Sequence, residues 1–298
     1  MRSILLSLLT VAALGSTRAQ YYEVGLQAGA SNYAGELTSD GFRASEYHPA
    51  VGIFGRYNHS PRIAAHASVM FGQISGSDAN SGNAKTLSRN LDFRSPLYEL
   101  AAMGEFNIMP YAPRNNQGGA LYLTAGVGAF YFNPQAQFNG DWVDLQPLGT
   151  EGQGSKTHPD REPYKRLQVS IPFGGGLKLN VTDRFNLGFE LLIRRTFTDH
   201  LDDISGQYPD IEALYEENPM AAELSFREPQ YLRTAQPNPV GRARGNADVK
   251  DYYMTMMLKM GFNLTHKQGL DFDPEYDIFK DPPPALGAVD TWWLEPRA

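Results

Sequence analysis

The stretch that decides the fold is Tyr252-Tyr253-Met254-Thr255-Met256-Met257-Leu258-Lys259-Met260-Gly261-Phe262. Every second residue from Tyr252 to Phe262 is large and apolar, whereas the positions between them include Thr255, Lys259 and Gly261. Because a β-strand turns successive side chains to opposite faces, this segment has one apolar face and one polar, small or charged face. Such a pair of faces is typical of a strand that has lipid on one side and a polar barrel interior on the other.

The same alternation recurs in seven further segments, and nearly every charge falls on the face opposite the apolar residues. These segments are residues 21–30, 50–58, 62–72, 97–108, 121–131, 167–180 and 185–196. Most of them reach the ~9–11 residues with which a tilted strand crosses a bilayer. The pattern therefore predicts eight membrane-spanning strands.

The connections between these segments alternate in length. Three are short (residues 59–61, 110–119 and 181–184) and four are long (residues 31–49, 73–96, 132–166 and 197–251). Outer-membrane barrels have short periplasmic turns and longer extracellular loops, whereas a soluble β-sandwich has no reason for this asymmetry. We therefore predict an all-β fold, an eight-stranded antiparallel transmembrane β-barrel with long extracellular loops, both termini periplasmic and a periplasmic C-terminal tail.

The N-terminus predicts export to the bacterial outer membrane. Arg2 precedes an apolar run that ends near Leu14, and small residues flank a cleavage point after Ala19. We expect residues 1–19 to be a signal peptide, 20–264 the barrel and 265–298 a separate tail. A membrane anchor is the alternative, but the run is shorter than the ~20 residues of a spanning helix. The chain has no cysteine, which excludes disulfides and thiolate metal sites, and its net charge of −7 favours no nucleic-acid partner.

Charged side chains on the inward face form the first candidate site. The interior of an eight-stranded barrel is just filled by side chains, so these groups are expected to pair across the lumen as a structural network. A proton or ion path is the alternative, because ionisable groups inside a membrane are often functional. The network comprises Glu23, Arg56, His66, Glu99, Glu105, Lys178, Glu190, Arg194 and Lys259.

An acidic stretch in the last long connection forms the second candidate site. Asp199, Asp202 and Asp203 offer three carboxylates to a hard cation such as calcium. The Gly and Glu spacing of an EF-hand does not follow, which favours a solvated acidic turn instead. His200, Asp202 and Ser205 also permit a hydrolytic combination, but triad residues rarely come from one short loop. We expect no catalytic site and no cofactor. Residues 211–217, further along this connection, are expected to form a short surface helix.

The tail, residues 265–298, is acidic and proline-rich, a composition that favours an extended segment. It ends near Trp292 and Trp293, and aromatic residues are common interface anchors. We expect these two tryptophans to dock a periplasmic partner. Insertion into the membrane interface, or packing on the barrel rim, is the alternative.

Several motifs at strand ends and in loops carry a family resemblance. They lie at residues 32–37 (NYAGEL), 89–95 (RNLDFRS), 130–134 (FYFNP), 142–152 (WVDLQPLGTEG), 170–174 (SIPFG) and 195–205 (RTFTDHLDDIS). Together they resemble the Bacteroidota outer-membrane β-barrel family that includes PorG, a component of the type IX secretion system. The resemblance implies a non-enzymatic barrel surrounded by outer-membrane lipid, which anchors or assembles the periplasmic ring proteins of that system. An orphan barrel that acts as a narrow porin or small-ligand transporter is the alternative.

Overall fold

Eight long strands of the chain close into an antiparallel barrel. The computed structural model describes residues 21–38, 43–111, 118–182 and 184–264. Its barrel strands are β1 (Tyr21–Ala34), β2 (His48–Asn58), β3 (Ile63–Ser77), β4 (Asp92–Asn107), β5 (Gly119–Phe132), β8 (Leu167–Asn180), β9 (Phe185–Thr196) and β10 (Tyr252–Asn263), and a hairpin of β6 (Gln135–Phe138) and β7 (Asp141–Asp144) precedes β8. Each barrel strand pairs with the next, and β1 pairs with β10 to close the barrel. The predicted eight-stranded antiparallel barrel is confirmed.

The two faces of the barrel follow the alternation in the sequence. In β1, Leu26 is 57% exposed whereas the next residue, Gln27, is 5% exposed. Outward positions of the other strands are also large and apolar, as in Ile53, Leu100, Val127 and Leu258. The exterior is therefore a continuous apolar belt, a surface that water does not favour and lipid does.

Three of the strands, β1, β3 and β4, run at least four residues beyond their predicted ends on the side of the long loops. The β3–β4 pairing continues from Phe71 opposite Tyr98 to Ser77 opposite Asp92. The inward residues of this extension include Ile74 and Phe93, which are almost completely buried. They pack with other inward side chains and with loop residues in one cluster, which includes Tyr33, Leu37, Leu91, Leu97, Phe130, Phe132, Leu201, Ile204 and Tyr253. The expected polar interior is wrong at this end of the barrel, where a hydrophobic core closes the lumen.

The long loops are L1 (residues 35–47), L2 (78–91), L3 (133–166) and L4 (197–251), and together we call them the loop cap. L2 contains helix α1 (Ala84–Arg89), and L4 contains α2 (Ile211–Glu217), α3 (Pro219–Ser225) and α4 (Glu228–Leu232). The expected helix at residues 211–217 is confirmed as α2, whose first turn is capped by the Asp210 carboxylate. Leu145 of L3 packs with Leu224 of α3, which ties L3 to L4.

Within the described ranges, no helix combines the length and the apolar character that crossing a bilayer requires. The expected signal peptide, residues 1–19, and the tail, residues 265–298, lie outside the described residues. Trp292 and Trp293 therefore stay sequence predictions.

Candidate functional site

The nine charged residues predicted to face the lumen all lie inside the barrel. Each is 4% exposed or less. They come from seven strands, because each inward charge follows the same alternation that places its apolar neighbours outside. The set is Glu23, Arg56, His66, Glu99, Glu105, Lys178, Glu190, Arg194 and Lys259.

Glu105 on β4 is the centre of this network. One of its oxygens accepts a hydrogen bond from Arg56 Nε at 2.9 Å and lies 2.6 Å from His66 Nδ1. Its other oxygen accepts from Lys178 Nζ. Arg56 also donates from Nη1 to Glu23 at 2.8 Å, so that strands β1, β2, β3, β4 and β8 are linked across the lumen.

Glu190 on β9 extends the network. Its Oε1 lies 2.6 Å from Lys259 Nζ, and its Oε2 accepts a hydrogen bond from the Tyr122 hydroxyl at 2.8 Å. His66 Nε2 stands 3.8 Å from the same Oε2 and connects Glu190 to Glu105. Arg194 and Glu99 form a separate pair at 3.2 Å.

The lumen charges are balanced. Four glutamates face two arginines and two lysines, and each glutamate has at least one cation within 4 Å. This pairing offsets the high cost of removing charges from water. The void between Glu23, Arg56, Lys178 and Lys259 measures about 10 Å³, which is about the space of one water molecule. The side chains of the polar layer therefore plug the barrel at this level and leave room among these four residues for about one water molecule.

Aromatic rings complete the plug, and sequence reasoning missed their role. Lys178 Nζ lies 4.6 Å from the ring centre of Tyr122 and 5.2 Å from that of Tyr111. Arg56 and Lys259 both lie over Phe54. Tyr122 and Phe54 occupy inward positions of their strands, so the alternation could have identified them. Such cation–π contacts stabilise cations further in a dry interior.

Two arginines hold the loop cap together. Arg89 of L2 forms two hydrogen bonds with Asp78, at 2.7 and 2.8 Å, and donates to the backbone oxygens of Glu36 and Arg244. Arg244 of L4 is buried and donates to Glu151 of L3 at 3.0 Å and to the backbone oxygen of Asp203. All four loops are thus connected by buried charge-assisted hydrogen bonds.

The acidic stretch of L4 divides between two clusters. Asp203 accepts hydrogen bonds from the hydroxyls of Thr150 and Tyr164, the latter at 2.7 Å, and faces Arg244. Asp202 turns the other way and accepts from the Tyr33 hydroxyl at 2.6 Å. Asp199, Asp202 and Asp203 are each 2% exposed or less, so the expected solvated turn is wrong. They also do not converge as the three ligands of one cation.

A different set of carboxylates does converge. Ligand oxygens of Glu36, Asp202 and Asp251 lie within 4.8 Å of one another. Glu36 follows β1 and Asp251 directly precedes β10, its partner in the barrel. We call these three residues the acidic triad of the cap. Sequence reasoning did not find it because Glu36 and Asp251 were isolated acids in separate connections.

The hydrolytic combination of residues is not formed. His200 stacks on the ring of Tyr164 with 4.6 Å between ring centres, whereas Asp202 bonds to Tyr33. The Ser205 backbone N–H donates to Glu151. These three residues therefore serve different local contacts.

The pKa values in the cap reflect burial of uncompensated charge. Burial raises the pKa of Asp202 and Asp251 well above the usual range, and carboxylate neighbours raise both further. Burial also raises the pKa of Glu36. Asp199, next to the triad, has its pKa raised to about 7 by burial and by the charge of Glu36. Arg89 lowers the pKa of Glu36 and Asp202, and Lys250 lowers that of Asp199, but burial outweighs both cations.

A family model described as a domain of unknown function, DUF6089, matches residues 2–218. The chain belongs to this family. The match extends from the N-terminal segment to α2 of L4 and so contains seven of the eight barrel strands. No curated protein sequence matches the chain significantly.

Several solved structures are similar to the chain. Ail, the attachment invasion locus protein of Yersinia pestis, in complex with a heparin analogue, is 12% identical with a TM-score of 0.38, and the match covers 82% of this chain and 97% of Ail. OprG of Pseudomonas aeruginosa is 8% identical with a TM-score of 0.34, over 85% of this chain and 99% of OprG. Neisserial surface protein A is 7% identical with a TM-score of 0.36, over 81% and 96%. The assignment of the barrel rests on the strand pairing of this chain itself.

Proposed function

We propose that the protein is a non-conducting outer-membrane barrel that anchors or assembles the periplasmic ring of the type IX secretion system. The observation that carries the membrane anchor is the contrast between the two faces of the barrel. The exterior is an apolar belt, and the interior is an ion-paired plug beneath a hydrophobic core. A barrel of this kind is held by lipid and offers its loops, turns and tail to partners.

We infer the orientation of the barrel from the asymmetry of its two ends. Strand β1 begins and β10 ends at the short-turn end, where the Leu264 N–H donates to the Tyr22 backbone oxygen. We place this end in the periplasm and the loop cap outside the cell, as is usual for outer-membrane barrels. The tail, residues 265–298, then leaves the barrel on the side where a periplasmic ring would lie.

The secretion role itself is supported by the sequence resemblance in the loop motifs. Four of these motifs supply hydrogen bonds of the cap: residues 32–37 contain Tyr33 and Glu36, residues 89–95 contain Arg89, residues 142–152 contain Glu151, and residues 195–205 contain Asp202 and Asp203. They are ordered by the contacts described above, which gives a physical reason for their particular residues. The tryptophans Trp292 and Trp293 are the proposed docking residues for the ring.

Crosslinking of tagged protein in native outer membranes tests the proposal. The wild-type barrel is expected to recover periplasmic ring subunits, and deletion of residues 265–298 is expected to abolish the recovery. The double variant Trp292→Ala/Trp293→Ala should reproduce the deletion. The matched control, Tyr276→Ala/Phe279→Ala, changes two aromatic residues of the same tail and should capture the ring normally. Recovery of the barrel without ring subunits from wild-type membranes would refute the secretion role.

A narrow porin is the competing function, and the plug argues against it. An eight-stranded barrel has an interior that side chains just fill, and here the void among four lumen charges is about 10 Å³. Stepwise conductance of the purified protein in planar bilayers would overturn the proposal of a non-conducting anchor.

A further inference from the structure

The acidic triad of the cap differs from the lumen network in its charge compensation. In the lumen, His66, Glu105 and Glu190 also lie within 4.8 Å of one another, but Arg56, Lys178 and Lys259 neutralise the two carboxylates. In the described part of the chain, no lysine, arginine or histidine forms an ion pair with Glu36, Asp202 or Asp251. Arg89 attracts Glu36 and Asp202 through space, but its guanidinium forms its ion pair with Asp78.

Hydrogen bonds satisfy only part of the triad. The Tyr33 hydroxyl lies 2.6 Å from Asp202 and 3.2 Å from Asp251, and the backbone N–H groups of Ile204 and Leu201 each donate to one of these carboxylates at 2.9 Å. One oxygen of Glu36, Oε2, is buried without a partner among the described residues. Buried carboxylates in this state carry an electrostatic cost that a cation would remove.

Asp199 is a second, independent indication of a missing ligand. Its side chain is 2% exposed, and within the described ranges neither of its oxygens has a hydrogen-bond partner of normal geometry, although the Ser205 hydroxyl is near. It interacts electrostatically with Glu36 and Asp251, so it lies close to the triad. A fourth buried carboxylate beside three others adds negative charge that a cation would neutralise.

We propose that Glu36, Asp202 and Asp251 bind one hard divalent cation, Ca²⁺, with Asp199 beside them as a further ligand or as a holder of bound water. An all-oxygen set selects hard cations over the metals that prefer nitrogen or sulfur. Ca²⁺ binds oxygens at about 2.3–2.6 Å, so opposite ligands stand up to about 5 Å apart, which suits oxygens within 4.8 Å. Mg²⁺ demands a near-ideal octahedron and usually keeps several of its waters, whereas Ca²⁺ accepts irregular sets of protein carboxylates, so ligands from separate loops favour Ca²⁺.

The site lies beneath a surface pocket and joins separate loops. Glu36 is half-buried and lines this pocket of about 310 Å³ together with Asn246 and Arg89, whereas Asp202 and Asp251 are buried below it. An ion would therefore enter the triad past the Glu36 side chain. Glu36 belongs to L1, whereas Asp202 and Asp251 stand at the two ends of L4, so a bound ion would clamp both loops at the strand pair that closes the barrel.

Close packing of the backbone at Gly35 holds Glu36 beside the other two carboxylates. Gly35 precedes Glu36, and a side chain there would come within 2.1 Å of the Tyr33 hydroxyl and of Asp251. The chain thus approaches the carboxylates closely, at a position that tolerates only glycine. Such a close approach keeps Glu36 in the cluster despite the repulsion between like charges.

The test uses full-length protein refolded in detergent free of lipopolysaccharide, since lipopolysaccharide itself binds divalent ions. Protein stripped with a chelator is titrated with Ca²⁺ alone and with Mg²⁺ alone, and binding is followed by calorimetry. We expect one Ca²⁺ per chain, with Mg²⁺ at least about tenfold weaker. Sites of extracellular modules have dissociation constants of about 10⁻⁴–10⁻³ M, and the same range is expected here.

Three variants separate the site from general charge effects. Asp202→Asn and Asp251→Asn keep the shape of the side chains and should weaken Ca²⁺ binding by at least about tenfold. Glu216→Gln removes an exposed charge from the same loop and should bind as the wild type does. Protease digestion of L4 gives a second readout: Ca²⁺ should slow it in the wild type and in Glu216→Gln, but not in the two asparagine variants.

The outcomes show whether a bound cation or protonation neutralises the carboxylates of the triad. If the carboxylates are neutral by protonation, Ca²⁺ leaves digestion unchanged and the asparagine variants, which mimic neutral acids, behave as the wild type; this result overturns the proposal. The proposal is also overturned if Glu216→Gln loses as much Ca²⁺ binding as the asparagine variants do, or if both asparagine variants still bind Ca²⁺ as the wild type does. The experiment needs no secretion partner, so its failure and the failure of the proposed function are distinguishable.

Discussion

Removal of the Glu105 carboxylate should destabilise the barrel strongly. Within the described residues, Glu105 is the carboxylate that pairs with Lys178, and it is one of two that pair with Arg56. In Glu105→Gln, Arg56 keeps Glu23, but Lys178 keeps only the faces of Tyr122 and Tyr111. Removal of one partner of a buried ion pair costs about 3–5 kcal/mol, because the other charge stays in a dry interior.

Urea unfolding of the barrel refolded in lipid vesicles measures this loss. For an m-value of about 2 kcal/mol/M, a loss of about 4 kcal/mol lowers the urea midpoint by about 2 M. Circular dichroism of the strands follows the transition. The matched control is Asp92→Asn, which breaks a pair with Arg227 that is partly exposed at the rim and should cost less than about 1 kcal/mol.

A second substitution identifies the cause of the loss. In Glu105→Gln/Lys178→Met, the unpaired ammonium is gone while an unbranched chain of similar length still fills the space. At least about half of the lost stability should return, since an apolar replacement of a buried pair is often close to neutral. If Glu105→Gln costs no more than Asp92→Asn, or if the double variant is no more stable than the single one, the electrostatic account of the plug is refuted.

The remaining predictions concern the cap and the lumen. Arg244→Met should leave Glu151 and Asp203 without their cation and accelerate protease digestion of L3 and L4, while the barrel strands keep their circular dichroism. Gly35→Ala should loosen L1 in the same digestion, whereas Gly82→Ala, where an added side chain meets no atom within 4 Å, should not; equal behaviour of the two would contradict the close approach at Gly35. The wild-type protein should show no stepwise conductance in planar bilayers, because ion-paired side chains fill the described part of the lumen.

The barrel and its charged interior could be predicted from sequence because both depend on a local rule. A strand alternates its faces whatever its partners are, so the parity of Glu105 or Lys259 already places each one inside. This rule predicts which face of the strand a residue occupies, but it does not predict whether the neighbours on that face are polar or apolar. Beyond the predicted strand ends the inward residues Ile74 and Phe93 are apolar, because loop residues such as Leu201 cover them. The packing of loop residues on Ile74 and Phe93 can be seen only once the fold of the loops is known.

The cap required contacts that no local pattern contains. Arg89 bonds to a backbone oxygen of Arg244, which lies 155 residues further along the chain, and Tyr33 bonds to Asp251 across 218 residues. The acidic stretch in L4 could be recognised in the sequence. The sequence does not show that Asp202 and Asp203 belong to two separate clusters, because their partners lie in different loops. Adjacent residues in a turn can point in opposite directions, so carboxylates that are close in sequence need not share one ligand.

The register of the closing strand pair explains why the cap holds an excess of negative charge. Ala34 of β1 is opposite Tyr252 of β10, so Glu36, two residues beyond, and Asp251, one residue before, meet wherever the barrel closes. Like charges brought together at a strand pair repel one another. In the lumen, neighbouring strands supply Arg56, Lys178 and Lys259 against such repulsion. At the cap, Arg89 acts on Glu36 and Asp202 through space, but among the described residues no cation forms an ion pair with the acidic triad. A sequence that brings three acids together at its closing strand pair, and pairs Arg89 with Asp78, is best explained if a bound cation completes the closure.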